Sequence, residues 1–148
     1  MILESLPNSL EYIGDRAFCN AGPRVTIKTL PNSVKTIGTQ AFMGCGNVSI
    51  NYFGGENSSL KTIGFQAFRS VNTIAKDVTE ITINNGVILE KGGSNDNYTT
   101  FGQGYPNVNT LIIGSSCFDK YGTDTDALRT DLFESARENM TVSIINND

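Results

Sequence analysis

The chain has 148 residues, which suits a single domain and leaves little room for a second one. Its 15 acidic and 11 basic residues are interspersed and give a formal net charge of −4, which argues against nucleic acid and anionic membrane surfaces as partners. Histidine is absent, so the commonest general base and metal ligand is missing, and no stretch approaches the ~18 apolar residues of a membrane span. We therefore expect a soluble domain with no catalytic residues, metal, cofactor or membrane insertion.

One motif recurs at a nearly constant interval. The string Leu-Pro-Asn-Ser begins at Leu6 and again at Leu30, and in both copies an Ile-Gly step and then an Ala-Phe pair follow it. A third copy, residues 58–68, lacks the Leu-Pro start but keeps the rest. Repeats with a period of twenty to thirty residues are typical of solenoids, in which each unit buries its apolar face by stacking on its neighbours.

Each repeat is predicted to contain a turn, a row of inward apolar residues and a short strand. In the first repeat the turn is Pro7-Asn8-Ser9, and Gly14 is expected to take a backbone angle that other residues avoid. The first residues carry no polar cap. Ile2, Leu3 and Leu6 are therefore expected to be exposed and to favour self-association or a neighbouring domain. The strands are predicted to stack as one parallel sheet, at residues 25–28, 48–51, 78–83, 108–113 and 141–145.

Residues 84–107 are predicted to be an insertion in the stack. Asn84-Asn85-Gly86 is typical of a hairpin turn, residues 87–89 of a short strand, and residues 91–104, rich in Gly, Asn and Ser, of a mobile loop. The pair Cys117-Phe118 is expected to take the Ala-Phe place in a fourth copy of the motif.

The last part of the chain changes period. Apolar residues recur at steps of three and four, which predicts one face of a helix that Thr123, Asp124 or Thr125 could cap. With the following strand this helix is predicted to close the C-terminal end of the solenoid. The apolar residues concerned are Leu128, Leu132, Phe133, Ala136 and Met140.

The three cysteines are predicted to be buried or half-buried free thiols. Cys45 has Ala21 and Val71 as its counterparts in the flanking repeats, so its position favours a small apolar group. Cys19 and Cys117 also lie at repeat-related places, and an odd number of cysteines cannot all pair.

The repeats resemble a known family. Residues 30–48 follow the pattern Leu-Pro-x-Ser-Val-x-x-Ile-Gly-x-x-Ala-Phe-x-x-Cys-x-x-Leu almost throughout, and residues 6–25 and 58–74 follow it with Ala21 or Val71 in place of the cysteine. This pattern is similar to that of the BspA-type leucine-rich repeat. The resemblance implies a right-handed curved solenoid with a parallel concave sheet and short strands, turns or helical pieces on the convex side. It also implies an extracellular or cell-surface microbial protein used in adhesion and protein binding, without catalytic residues.

The fold class is thus a β-rich (α/β leucine-rich repeat) solenoid with one C-terminal capping helix. We expect a single leucine-rich repeat domain over residues 1–148. Its parts are predicted as repeats at about 6–29, 30–55 and 56–83, an irregular repeat with the insertion at 84–122, and a cap at 123–148.

Two kinds of site are considered. Asp124, Asp126, Asp131 and Glu134 are close in sequence, but they lack the ligand spacing and glycine of an EF-hand loop, so no metal site is predicted. The predicted concave sheet is the better candidate, because its outward residues are small and nearly uncharged. The partner-binding candidates on it are Thr26, Lys28, Ser49, Asn51, Thr82, Asn84, Ile112 and Ser143.

Three functions remain open. The first is a non-enzymatic module that binds a protein, or a glycan, at a microbial surface; the alternative is a structural subunit or domain of a larger assembly, such as a virion or multi-domain surface protein. A hydrolase without histidine is a more distant third. The chain as given carries no signal peptide, so the surface location rests on the resemblance.

Overall fold

The computed structural model describes residues 2–45, 47–70, 75–135 and 137–146. Within these ranges eight strands form two four-stranded sheets, and every strand pair is parallel. The first, here the short sheet, contains β1 (Tyr12–Ile13), β2 (Thr36–Ile37), β4 (Thr62–Ile63) and β6 (Ile88–Leu89). The second, the long sheet, contains β3 (Tyr52–Phe53), β5 (Glu80–Ile83), β7 (Thr110–Gly114) and β8 (Thr141–Ile145). Short 3-10 turns cover Gly22–Arg24 and Ser115–Cys117, and one helix, α1, covers Thr125–Phe133.

The two sheets arise because the chain alternates between them from β2 to β7. In the short sheet Ile13 pairs with Ile37 and Ile37 with Ile63, so the Ile-Gly steps of the repeats lie side by side. Ile63 in turn pairs with Leu89. The sequence analysis predicted a single sheet. It did not predict the short sheet, because strands of two residues leave no alternating pattern to detect.

The last three of the five predicted strands are confirmed as β5, β7 and β8 of the long sheet. β5 and β7 begin two residues later than predicted, and β8 covers 141–145 as predicted. The first two predictions are wrong. Residues 25–28 form only an isolated parallel bridge between Val25 and Leu3, and residues 48–51 precede β3 instead of forming it.

A stack of five phenylalanine rings runs through the molecule. The centroid distances are 5.2 Å for Phe18 to Phe42, 5.3 Å for Phe42 to Phe68, 6.0 Å for Phe68 to Phe101 and 5.3 Å for Phe101 to Phe133. Backbone bonds follow the same order, since Phe42 N donates to Ala67 O and Phe68 N donates to Thr100 O. Aromatic pairs at such distances add to the stability that ring burial already supplies.

Phe101 therefore occupies the place that the sequence assigns to Phe118, and that assignment is wrong. Because β6 pairs with β4 and Phe101 stacks on Phe68, residues 84–107 are a further pass of the stack and not an insertion in it. The additional length is confined to residues 91–97, between Glu90 and Tyr98. Cys117 is buried and Phe118 is half-buried on the long-sheet side of the chain, after β7.

The expected mobile loop is largely packed. Tyr98, Thr99, Thr100 and Phe101 are all buried, and only residues 93–96 and 103 are exposed within 91–104. Tyr98 Oη donates to Asp119 Oδ1 at 2.9 Å and accepts from Asp119 N at 2.9 Å. Burial raises the pKa of Tyr98 to about 12, so the phenol keeps its proton and this bond at neutral pH. The low apolar content of residues 91–104 suggested a mobile loop. The few apolar side chains of this segment are nevertheless all buried.

The glycine of the Ile-Gly step recurs because of close packing between passes. The unusual backbone angle predicted for Gly14 is not the reason. Gly14 has no positive φ, and a Cβ placed on it would meet nothing within 4 Å. On Gly64 a Cβ would lie 2.4 Å from the carbonyl carbon of Gly38, and on Gly38 it would lie 2.6 Å from Asp15 N. At Gly38 and Gly64 the chain thus approaches the preceding pass too closely for any side chain.

The left-handed backbone position lies two residues after these glycines. Arg16, Gln40 and Gln66 have φ of 56°, 55° and 55°, and Thr99, which precedes Thr100 as Gln66 precedes Ala67, has φ of 46°. Arg16 Nε donates to Gln40 Oε1 at 2.9 Å, and Gln40 Nε2 donates to Gln66 Oε1 at 2.7 Å. These side-chain bonds between passes help to hold a conformation that is costly for residues with a Cβ.

The C-terminal cap is formed by α1 and the residues after it. Asp124 is the N-cap, accepting from Ala127 N at 3.0 Å, which selects one of the three predicted capping residues. The Arg137 guanidinium lies 4.5 Å from the Phe133 ring centroid, so it covers the last ring of the stack. The residues predicted to face inward are buried at Leu128, Leu132, Phe133 and Met140, the last beyond the helix; Ala136 lies outside the described residues.

Cys45 and Cys117 are buried and Cys19 is half-buried, and all three are free thiols, as predicted. Cys45 Sγ donates to Phe18 O at 2.9 Å, which ties its pass to the preceding one. Burial raises the pKa of both buried thiols to about 11.

At the first pass Ile2 is 62% exposed and Leu3 is half-buried, whereas Leu6 is buried, contrary to expectation. Among the described residues, no helix has the length and apolar character needed to cross a membrane.

Candidate recognition surface

Three of the eight candidate residues form a straight column. In the long sheet Thr82 pairs with Ile112, and Ile112 pairs with Ser143. Their neighbours Ile83 and Ile113 are fully buried, so the column points away from the core. The fourth member is Tyr52, which pairs with Thr82 and was not among the candidates. We call these four residues, Tyr52, Thr82, Ile112 and Ser143, the long-sheet face.

The sequence placed Ser49 where Tyr52 lies, and this alignment is wrong. Ser49 N donates to Ile27 O at 2.9 Å, so Ser49 lies beside the preceding pass of the chain. Apolar residues 48, 50 and 53 have spacings of two and three, whereas 78, 81 and 83 have three and two. Matching Phe53 with Ile83 at the ends of the two runs, instead of Ile50, would have identified Tyr52.

The remaining candidates are separate from the column or have structural partners. Thr26 is half-buried and its N donates to Leu3 O at 2.7 Å, and Lys28 is exposed beyond it. The amide of Asn51 donates to Glu80 O at 3.0 Å, and the amide of Asn84 donates to Phe53 O at 3.2 Å. Both asparagines therefore satisfy backbone carbonyls between adjacent passes.

The long-sheet face is uncharged and partly apolar. Tyr52 is 59% exposed, Thr82 and Ile112 are half-buried, and Ser143 is exposed. A parallel column in register with it contains Glu80, Thr110 and Thr141, so one carboxylate lies two residues from Thr82 on the same side of β5.

The short sheet has an outward column of its own, which the sequence did not reveal. It consists of Tyr12, Thr36, Thr62 and Ile88, and we call it the short-sheet face. Charged residues border it: Lys35 Nζ lies 3.0 Å from Glu11 Oε1 and 5.9 Å from the Tyr12 ring centroid. In three of the four strands the column residue is the one directly before the Ile-Gly step, and this position is the sequence signal that marks the column.

Repeated passes, paired Ile-Gly steps and stacked Ala-Phe phenylalanines agree with a comparison against known families. A family model described as the BspA type leucine rich repeat region matches residues 4–123 in six copies. The chain belongs to the BspA-type leucine-rich repeat family. No curated protein and no solved structure matches it.

In this BspA-type repeat domain, three of the acidic residues considered for a metal site, Asp126, Asp131 and Glu134, bind other residues of the chain. Asp131 accepts from Tyr98 N and Thr99 N through Oδ1, at 3.0 and 2.9 Å, and from Tyr121 Oη through Oδ2 at 2.8 Å. Asp126 pairs with Arg129 and Glu134 with Arg69. Within the described part of the chain no group of three metal-ligating side chains is assembled.

Proposed function

We propose that this BspA-type repeat protein is a non-enzymatic recognition module that binds a protein partner through the long-sheet face. We place it at a microbial cell surface or in secreted form, as a component of adhesion. Membership in a family that is typically surface-associated supports this location. The observation that carries the binding site is the uncharged column on an extended parallel sheet, with Tyr52 exposed at one end.

Such a face suits protein binding for a physical reason. Interface cores are depleted of charged residues and enriched in aromatic ones, and a sheet holds its outward side chains at fixed spacing, so little conformational entropy is lost on binding. Thr82, Ile112 and Ser143 add small, neutral contact area beside the aromatic ring of Tyr52. The short-sheet face is the weaker candidate because the pair Glu11–Lys35 would have to be desolvated beside a partner.

The test is loss of binding when charge is placed in the column. Protein on beads first recovers a partner from the surface fraction of the native host, and the purified partner is then titrated against variants. Thr82→Glu with Ser143→Glu should abolish binding, because each substitution places an unpaired carboxylate under the partner. Burying even a neutral polar group without a hydrogen bond costs roughly 2–7 kcal/mol, and burying a charge costs more. Thr36→Glu with Thr62→Glu, at the matching positions of the short-sheet face, is the control and should bind normally.

Two results would assign the binding site to another part of the molecule. If the long-sheet variant binds unchanged and the short-sheet variant does not, the partner occupies the other sheet. If both bind while replacement of exposed residues 93–96 by Gly-Ser removes binding, the site lies on that loop.

A structural role in a larger assembly is the second candidate, and one observation favours it. Val142 and Ile144 of β8 are half-buried, whereas their partners in register, Leu111 and Ile113, are fully buried. Another subunit or domain that stacked on β8 would complete this burial. Sedimentation velocity of the Ile2→Glu variant separates the candidates, since association through β8 should persist in a building block, whereas the recognition module should then be monomeric.

A further inference from the structure

Two exposed tyrosines occupy the same place in the two sheets. Tyr12 and Tyr52 each begin a strand, each point outward, and are 62% and 59% exposed. At Tyr12 the chain supplies its own cation: Lys35 Nζ lies 5.9 Å from the ring centroid and 3.0 Å from Glu11 Oε1. Ring, ammonium and carboxylate together form a complete cation site on the short-sheet face.

At Tyr52 the ring and a carboxylate are present without the cation. A cavity of about 280 Å³ lies beside the ring, and both Tyr52 and Glu56 line it. Among the described residues Glu56 has no ion-pair partner, and no lysine or arginine of that part of the chain lies over the Tyr52 ring. The rest of the lining is neutral and consists of Leu30, Asn32, Gly54, Gly55, Asn57 and Ser58.

The Tyr52 ring is held in place before any ligand arrives. A Cβ added to Gly55 would lie 3.2 Å from Tyr52 Oη and 3.3 Å from its Cε1, so the side chain packs on the glycine backbone. Gly54 and Gly55 have φ of +81° and +111°, a conformation that side chains disfavour. A ring fixed in this way loses little freedom when a ligand covers its open side.

We propose that the notch between Tyr52 and Glu56 binds a primary ammonium group, the side chain of a lysine on the protein partner. The ring face attracts the cation, Glu56 neutralises it, and Leu30 offers apolar surface to the aliphatic stem. The internal Tyr12–Lys35–Glu11 arrangement shows that this chain already uses the same three groups together. The choice of a protein as the source of the lysine rests on the proposed function, while the ammonium site itself does not.

The experiment uses small probes and the intact chain. Nα-acetyl-lysine N-methylamide is titrated while the ring proton signals of Tyr52 and Tyr12 are followed by NMR, and the norleucine analogue serves as the uncharged probe of equal shape. The lysine probe should shift Tyr52 and saturate, whereas the norleucine probe should not. Tyr52→Leu should abolish the binding measured at the Glu56 and Ser58 amides, and Glu56→Gln should weaken it about two- to fivefold.

Tyr12→Leu is the matched control and should leave the Tyr52 titration unchanged, with circular dichroism showing that each variant is folded. Equal shifts from norleucine, stronger binding of Nα-acetyl-arginine N-methylamide, binding of methyl glucoside instead of lysine, or no shift at all would each overturn the ammonium assignment. Thr82→Glu with Ser143→Glu should still bind the lysine probe. If the intact chain binds the lysine probe but no protein partner, the proposed function fails and this site stands. If it binds a protein partner but not the probe, this site fails and the proposed function stands.

Discussion

The ring of Phe68 stacks on the ring of Phe101 with centroids 6.0 Å apart and planes 23° apart, although 33 residues separate the two in the chain. Phe101 in turn stacks on Phe133 of α1. The phenylalanines of the recurring Ala-Phe pairs thus continue into segments where that pair is absent, and they connect the first pass to the C-terminal cap.

Phe42 lies inside this stack, fully buried between Phe18 and Phe68. We predict that Phe42→Ala lowers the free energy of unfolding by ~3–5 kcal/mol, because the cavity it leaves is enclosed on both sides. Urea denaturation followed by circular dichroism measures the change. Phe101→Ala should cost about as much, and half-buried Phe18→Ala less; a loss under ~1 kcal/mol at Phe42 would contradict the stacking.

Gly64 and Gly14 hold the same place in the motif but differ in their surroundings. Gly64→Ala forces a methyl group against the Gly38 backbone, 2.4 Å away, and should lower the free energy of unfolding by ~1–3 kcal/mol. Gly14→Ala meets no neighbour, and we expect a change within ~0.5 kcal/mol. Equal effects at the two positions in thermal denaturation would show that the glycines have another role.

The thiols give a prediction for pH. Burial raises the pKa of Cys45 and Cys117 from 9.0 to about 11, so the folded chain keeps protons that the unfolded chain releases above pH 9.0. This contribution to stability is complete below pH 9.0 and falls as the pH rises towards about 11. Denaturant titrations across this range should show a decline that Cys45→Ala with Cys117→Ala reduces.

The same burial predicts selective labelling. Iodoacetamide at pH 8 should modify Cys19, which is half-buried, well before Cys45 and Cys117. Peptide mass spectrometry of the native protein measures the three rates. Comparable rates would mean that the interior is open to the reagent.

Asp131 holds residues 98 and 99 to α1 by accepting hydrogen bonds from Tyr98 N and Thr99 N. Asp131→Ala leaves their donors without this acceptor, and we predict a loss of ~1–3 kcal/mol with faster hydrogen exchange at the Tyr98 and Thr99 amides. Asp77→Ala is the control, because Asp77 is exposed and makes no bond to any described residue. Unchanged exchange at both amides in the Asp131 variant would show that other contacts hold the segment.

Ile2 leads to a prediction about association. With 62% of its surface exposed beside half-buried Leu3, it offers apolar area to a second molecule. We expect concentration-dependent self-association in sedimentation equilibrium, weakened by Ile2→Glu and unaffected by the distant Ile88→Glu. A wild-type protein that stays monomeric at all concentrations would refute it.

The repeats and their buried phenylalanines could be predicted because identical residues recur at steps that stacking requires, and the C-terminal helix because its apolar residues recur at steps of three and four. Phe101 could not. Glu90 stands where the earlier passes have glycine and Thr100 where they have alanine, so the segment keeps the packing without the motif. Tyr52 was missed for a related reason: apolar spacing changes from one pass to the next, and only backbone pairing shows which outward residue meets Thr82.

Successive rings of the phenylalanine stack are separated by 24, 26, 33 and 32 residues, yet their centroids stay between 5.2 and 6.0 Å apart. The rise per pass therefore does not depend on chain length, and the corners take up whatever length remains. A foreign epitope grafted between Gly93 and Asp96 would therefore be displayed at a defined height without disturbing the passes above or below it. The domain can therefore serve as a scaffold in which the grafted epitope is changed without changing the stacked passes.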